Sequence, residues 1–472
     1  NNVTANSSTT TVDLSDGNVV KFTQSADTTV SFANTGTSNI VSFIRIKDSN
    51  ATTRTLTWPS SIKWNGGSAP DLVQINPTGE EFDLITLLTR DEGVTWYGWL
   101  TSSNTRLDNQ LFAWGRNERG QLGLNSTIPD SHGVSSPIQV GSGADWASLV
   151  KGGENYPARH NIGAIKTDGT LWVMGDNTHG QLGQNNTTYY SSPVQIPGTT
   201  WSQASSAWGT WTAVKTDGTL WAWGGNWYGE LGQSAPTNYH RSSPVQLPGT
   251  DWSYTDNSGT SGASGSVFAI KTDGTMWAWG YNEAGELGLN NKTYYSSPVQ
   301  IPGTSWSTVS SGRKSGMATR TDGTLWMWGD NPSGLLGQNN QTDYSSPRQV
   351  PGTSWTDTIS LGYNCCGAIR TDGTLWVWGS GNSGSLAQGP SNANTNYSSP
   401  KQIPGTTWSK IIMGGNRGAA IKTDGTLWTW GNGSKGILGQ NATSDKDSPV
   451  QIPGTWGDVT HKNDSALGIK QV

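Results

Sequence analysis

Residues 215–233 read KTDGTLWAWGGNWYGELGQ. Two tryptophans stand two residues apart, a Gly-Gly pair follows, and an aromatic pair, Trp227-Tyr228, precedes a Gly-x-Leu-Gly. The stretch is one copy of a repeat. Thr-Asp-Gly-Thr recurs at Thr167, Thr216, Thr272, Thr321, Thr371 and Thr423, each time followed by Leu or Met and then Trp. The Trp-Gly or Met-Gly that follows ends on Gly115, Gly175, Gly224, Gly280, Gly329, Gly379 and Gly431, so successive copies lie 60, 49, 56, 49, 50 and 52 residues apart. Periods of this size belong to propellers and solenoids.

Each unit carries four strand signals. One opens with Trp (WSQAS from Trp201), and a second runs into an Asp-Gly turn (WTAVKTDG from Trp211). The third is TLWAWG, and the fourth starts at a Pro after Ser-Ser, as in PVQL from Pro244. Asp-Gly between alternating runs predicts a tight hairpin with positive φ tolerated at both turn positions. Pro at the head of the last strand predicts an outer edge, where a missing N–H is harmless. Four antiparallel strands make a propeller blade. The first unit supplies only its third and fourth strands (from Leu111 and Pro137), and the last only its first two (from Trp456 and Ser465). Six complete units and two complementary halves predict a seven-bladed β-propeller closed by pairing of the N- and C-terminal half-blades, with no edge left open.

Composition agrees with an all-β chain. Of 472 residues only 13% are charged, the net charge is −5, and Gly (62) and Trp (26) are abundant. With no basic stripe, nucleic acid is not an expected partner. No apolar run approaches the ~18 residues that would span a bilayer, so no membrane insertion is expected. The chain starts at Asn1 without an initiator Met or a signal-like segment, as a mature or excised portion would. The adjacent Cys365 and Cys366 are expected as free, half-buried thiols, since a bond between neighbours strains the linking peptide.

The run Trp-Gly-x-Asn-x-x-Gly-x-Leu-Gly, seen in WGGNWYGELG and WGYNEAGELG, resembles the repeat of the regulator-of-chromosome-condensation propeller family over roughly residues 106–472. The resemblance implies seven blades and a function that varies widely among members, from a nuclear exchange factor to secreted β-lactamase inhibitors. Members often carry Gly-Gly-x-His before the second strand. Here Arg417 and Lys314 occupy comparable places, which with the acidic balance argues against chromatin binding and nucleotide exchange.

Residues 1–105 lack the repeat and alternate in short runs such as TTVSFA and IVSFIRIKD, predicting a small antiparallel β-sandwich that serves for attachment or spacing, joined by a linker at Thr101–Gln110 to the propeller at 106–472. LTWPSSIKWNGGSAP and LLTRDEGVTWYGW are similar to a domain of bacteriophage tail-fibre and virion structural proteins. That resemblance implies a virion surface or extracellular location and virion neighbours bound through residues 1–105.

Catalytic residues are not in view. The five histidines, His132, His160, His179, His240 and His461, fall at unrelated positions, and no metal-ligand spacing, nucleophile elbow or phosphate loop occurs. The repeated turn aspartates, Asp168, Asp217, Asp273, Asp322, Asp372 and Asp424, are explained by the hairpin. No enzyme, metal or cofactor is expected. Nineteen of the 26 tryptophans fit faces buried between blades. Trp208 and Trp227 have no counterpart in other units. Loops after the first and third strands of a blade emerge on one face, so Trp208 and Trp227-Tyr228 share a side with Tyr239, His240 and Arg241. The long segment from Tyr254 is expected to join them. Trp208, Trp227, Tyr228, Tyr239, Arg241 and Tyr254 are the candidate ligand-binding residues, weighed against the plain reading that Tyr239 is blade packing and that single exposed aromatics mean nothing.

The function expected from these features is a non-enzymatic virion surface protein whose loop face reads a host-surface receptor or glycan. The alternatives are a capsid or tail decoration and a secreted propeller inhibitor of a protein target. Nothing such as a heptad enforces an oligomer, and oligomeric state stays open.

Overall fold

The computed structural model describes residues 2–5, 8–16, 19–24, 27–34, 39–46, 56–64, 81–91, 93–106, 109–128, 133–151, 161–235, 237–258, 265–462 and 464–471. His132, His160 and the 259–264 part of the long loop after Tyr254 lie outside these residues. Contacts divide the chain into Asn1–Asp108 and Asn109–Val472.

The described residues of the first unit form nine strands: β1 (Asn2–Ala5), β2 (Thr9–Asp13), β3 (Val19–Gln24), β4 (Thr28–Ala33), β5 (Asn39–Ile46), β6 (Leu56–Thr57), β7 (Ile62–Trp64), β8 (Glu81–Thr89) and β9 (Trp96–Arg106). They form one sheet in the order β1-β3-β5-β8-β9-β7 and another in the order β2-β4-β6. Between them lie Val12, Val20, Phe22, Val30, Val41, Phe43, Ile85, Leu87 and Trp96. The expected antiparallel pairing holds only for β5–β8 and β8–β9; β1–β3, β3–β5, β2–β4, β4–β6 and β7–β9 are parallel. The cause is topological. Successive strands β1 to β6 alternate between the two sheets, so neighbours in a sheet are two apart in sequence and run the same way. The expected linker is also shorter, because Thr101–Arg106 continue β9 alongside β8.

The second unit is the ring of seven four-stranded sheets. In blade 3 the strands Trp201–Ala207, Thr210–Lys215, Leu220–Gly224 and Arg241–Gln246 run from the axis outward. The fourth begins three residues before Pro244, not at it, and a bulge opposite Trp223 absorbs the irregularity. As the outermost strand it has a free edge for the proline nitrogen. Blade 1 closes the ring: Asn109–Gly115 pairs with Ser465–Gln471, seven residues deep, in a sheet completed by Val134–Gln139 and Thr455–Lys462.

The repeated motif earns its residues one by one. In the turn after the second strand only the glycine has positive φ (Gly169, +76°). The aspartate instead caps: Asp168 Oδ1 accepts from the Thr170 N–H (2.9 Å) and from Thr170 Oγ1 (2.6 Å), and Thr170 Oγ1 accepts from Trp172 Nε1 (2.8 Å). These bonds hold the Asp168 carboxyl below its usual range, the threonine hydroxyl contributing most. The basic residue before the turn lies between two tryptophans. Lys215 Nζ is 4.6 Å from the Trp201 ring centre and 4.9 Å from that of Trp221; Arg320 and Arg370 sit likewise in their blades.

Blades are stitched by the second tryptophan of Trp-x-Trp-Gly. Trp223 Nε1 donates to the Gln181 carbonyl of the blade before (3.0 Å), Trp279 to Glu230 (2.8 Å), Trp328 to Glu286 (2.7 Å), and so around to Trp114, which donates to Ile437 (2.7 Å) across the closure. Cys365 and Cys366 are in no disulfide and are fully buried rather than half-buried, Cys365 between blades 6 and 7 and Cys366 between blades 5 and 6. Burial drives the Cys366 thiol well above its ordinary pKa.

Candidate functional site

The loops after first and third strands meet on one face, as Gly225 N donates to the Gly209 carbonyl (2.8 Å) and Tyr281 N to Gly265 (2.9 Å). On this face the pair before the motif's Gly is Glu118-Arg119, Thr178-His179, Trp227-Tyr228 and Glu283-Ala284 in blades 1 to 4, Pro332-Ser333 in blade 5, and, after Gly in place of Asn, Asn382-Ser383 and Ser434-Lys435 in blades 6 and 7.

Blade 3 carries the densest cluster. Trp208, in left-handed backbone (φ 37°), meets Trp227 with ring centres 4.5 Å apart. Trp227 also lies 5.0 Å from His179 of blade 2 and 5.0 Å from His240, and the two imidazoles are 4.7 Å apart. The Gly-Gly of the opening stretch now has a reason: a Cβ on Gly225 would collide with the Trp227 ring, which folds back over it. Other blades carry Arg116, Asp176, Tyr281, Asp330, Ser380 or Asn432 there. Trp227 is therefore half-buried rather than a bare plate.

Tyr228 turns the other way, to Tyr281 (4.9 Å) and Tyr294 (5.4 Å) of blade 4. Glu283 accepts from the Tyr281 hydroxyl and pairs with Lys314 of blade 5 (3.0 Å). Tyr239 is exposed and stacked by Arg241, 4.4 Å from its ring centre. It is not in the packing place: Arg241, paired with Gly224, stands where Tyr190 pairs with Gly175 and Tyr295 with Gly280. His240 fills the position of Asp343 and Asp445, and like them accepts a loop N–H, here Asn226 N to Nδ1 at 3.0 Å. All three exposed aromatic side chains among the described residues of the propeller, Tyr189 (42%), Tyr239 (50%) and Tyr294 (43%), lie on this band.

Tyr254 is not part of it. It is the third residue of the innermost strand Trp252–Asn257 and lines a cavity on the ring axis with Lys151, Asp256, Ser311 and His461. The polar Tyr-Thr-Asp-Asn reads as a loop because axis-facing strands carry polar side chains. The cavity, about 30 Å³, has room for a water or two and no organic substrate. Burial moves its ionisable neighbours, raising Asp256 to about 6 and lowering His461 to about 3 and Lys462 to about 7.

Under the aromatic band lie two buried carboxyls the sequence reading passed over. In Gly-x-Leu-Gly, the variable side chain accepts the N–H two residues before it: Gln121 from Arg119 (2.9 Å), Gln181 from His179 (2.7 Å), Glu230 from Tyr228 (2.7 Å) and Glu286 from Ala284 (2.7 Å). The glutamines use their amide N–H as well, Gln181 donating to Asp176 (3.1 Å). Glu230 and Glu286 leave Oε1 buried with no partner among the described residues. Burial pushes Glu230 up to about 8 and Glu286 to about 7. The signal was the Gln-to-Glu exchange at one repeat position.

Five segments, residues 108–156, 168–213, 273–319, 322–369 and 424–461, match the regulator of chromosome condensation (RCC1) repeat. The propeller carries RCC1 repeats. Over 196 residues the chain is 24% identical to the ultraviolet-B receptor UVR8 of Arabidopsis thaliana, covering 41% of this chain and 42% of that one. Over 91 residues it is 34% identical to the probable E3 ubiquitin-protein ligase HERC3 of Homo sapiens, covering 19% of this chain and 8% of that one. The chain thus spans less than half the length of these relatives. The structure of Prp20p from Saccharomyces cerevisiae, described with its binding to Gsp1p and histones, superposes with a TM-score of 0.66 at 17% identity, covering 78% of this chain and 93% of that one.

These RCC1-repeat relatives overturn the virion reading. The tail-fibre or adhesin role fails, together with its decoration and inhibitor alternatives and the host receptor, glycan and virion neighbours expected as partners. The repeat matches begin at residue 108 and leave the tail-fibre resemblance of LTWPSSIKWNGGSAP and LLTRDEGVTWYGW without support, and residues 65–70 of the first stretch lie outside the described ones.

Proposed function

We propose that the propeller is a non-catalytic recognition platform that binds a protein partner across the loop face of blades 1 to 4. One observation carries this: exposed and half-buried aromatics, Tyr189, Trp208, Trp227, Tyr228, Tyr239 and Tyr294, gather on one sector of one face of a ring otherwise built from a repeating plan. Tyr and Trp in partly desolvated clusters are the usual anchors of protein interfaces, and loops on a rigid scaffold are where binding surfaces are built. The naming of UVR8 as a receptor and the binding of Prp20p to Gsp1p and histones favour a protein-binding role over catalysis. The axial cavity, too small for a substrate, points the same way.

The test uses the exposed tyrosines, which lie outside the buried cores of the blades. Tyr189→Ala, Tyr239→Ala and Tyr294→Ala combined are expected to reduce retention of the partner from extract of the expressing cells at least about tenfold, at unchanged melting temperature. Val450→Ser on the outer edge of blade 7 is the control and retains it. Retention by the triple variant equal to that of the parent and the control would sink the reading.

A further inference from the structure

We infer that this face docks an acidic segment of its protein partner, with Arg119 and Arg241, extended by Arg313 of the adjoining blade 5, receiving its carboxylates while the tyrosines cover its apolar residues. The inference rests on the platform reading and specifies the chemistry of what the platform binds.

Each of the three arginines lies on a tyrosine ring. The guanidinium carbon of Arg119 is 5.6 Å from the Tyr189 ring centre, that of Arg241 is 4.4 Å from Tyr239, and that of Arg313 is 4.8 Å from Tyr363. Among the described residues none of them forms an ion pair, and Arg313 Nε is buried without an acceptor. Asp330 is near enough to feel Arg313 yet makes no ion pair with it. Three other cations of the face are held in ion pairs. Arg116 pairs with Glu118 (2.8 Å), Lys314 with Glu283 (3.0 Å) and Arg417 with Asp464 (3.0 Å).

The same pairs engage three of the face's acids, while Asp330, with Asp343 beside it, stays near Arg313 in blade 5. Glu118, Glu283 and Asp464 are neutralised within the face, Asp176 accepts from Thr178 (2.8 Å) and Gln181 (3.1 Å), and Glu230 and Glu286 are buried beneath the loops. A chain with net charge −5 thus presents, beside its exposed tyrosines, Arg119 and Arg241 outside any ion pair among the described residues. Stacking on an aromatic ring orders a guanidinium in advance and leaves N–H donors for a carboxylate, which a planar fork receives in two-point fashion. Alternating acid and apolar side chains in the incoming segment match alternating arginine and tyrosine. A nucleic acid is the weaker occupant, because three spaced arginines do not trace a phosphate backbone.

The experiment uses the full chain and fluorescence anisotropy with three labelled probes: a peptide alternating glutamate and leucine, its lysine counterpart, and oligothymidine. The glutamate peptide is expected to bind at least about tenfold more tightly than either of the others, and more weakly as salt rises. Arg119→Ala with Arg241→Ala is expected to remove that preference, and Arg119→Glu with Arg241→Glu to reverse it toward the lysine peptide, both at unchanged melting temperature. Equal binding of the two peptides, preference for oligothymidine, or no reversal in the glutamate variant overturns the inference. Partner retention in the tyrosine variants is read separately, so the acidic-segment inference can fail while the platform reading stands.

Discussion

Trp114→Ala is expected to cost about 3–5 kcal/mol and to open the ring at its closure. Trp114 is fully buried in the strand that pairs the two chain ends, and its indole N–H donates to the Ile437 carbonyl of blade 7. Its ring packs edge-on against Trp456 at 5.8 Å. Truncation removes an inter-blade hydrogen bond and leaves a large cavity at the seam where covalent continuity does not help. Against a total stability of about 5–15 kcal/mol, that loss is decisive. Trp114→Phe keeps most of the packing and forfeits chiefly the hydrogen bond, about 1 kcal/mol. Urea unfolding followed by far-ultraviolet circular dichroism separates the two. A Trp114→Ala midpoint indistinguishable from that of Trp114→Phe would refute this account of the seam.

Glu230→Gln is expected to stabilise the protein at and above neutral pH. Burial raises the Glu230 carboxyl from its ordinary 4.5 to about 8, so between those values the folded chain holds a proton that the unfolded chain has released. Stability then falls as pH rises through that window, by up to about 1.4 kcal/mol per pH unit, and the slope ends above about 8. Glutamine carries no such linkage, and Gln121 and Gln181 already make the same bond in blades 1 and 2. The gap between variant and parent should be negligible near pH 4.5 and widest near pH 8. Glu286 adds its own slope up to about 7 in both proteins and cancels from the comparison. Parallel stability curves across the window would mean that Glu230 folds as an anion.

The blade plan was legible because its signals are local. Asp168-Gly169, the Trp-x-Trp-Gly strands and the two half-units at Leu111 and Ser465 each state a piece of geometry that neighbours cannot override. Pairing in the first unit was not legible, since alternation along Val19–Gln24 says which side faces the core but not which strand lies beside it. At the site, topology correctly brought Trp208 to Trp227. Ring direction was hidden, although Gly225 marked it: an extra glycine beside an extra tryptophan leaves space for the ring to fold inward. Tyr281 and Tyr294 would have emerged from comparing the residues after each Trp-Gly and before each Ser-Ser-Pro across blades. Tyr254 misled because an inner strand lining a polar axis looks like a loop.

The cation held between two tryptophans in blades 2 to 7 changes how a protease meets the chain. Lys166, Lys215, Lys271, Arg320, Arg370 and Lys422 each precede a surface Thr-Asp-Gly turn, so six bonds of tryptic specificity sit where digestion usually begins. To be cut, each basic side chain must leave its aromatic slot and enter the enzyme's pocket in extended form, which the intact blade forbids. Trypsin followed by mass spectrometry should therefore find these bonds silent in the native propeller and cleaved together once it unfolds. A fold whose turns are full of scissile residues would persist among proteases.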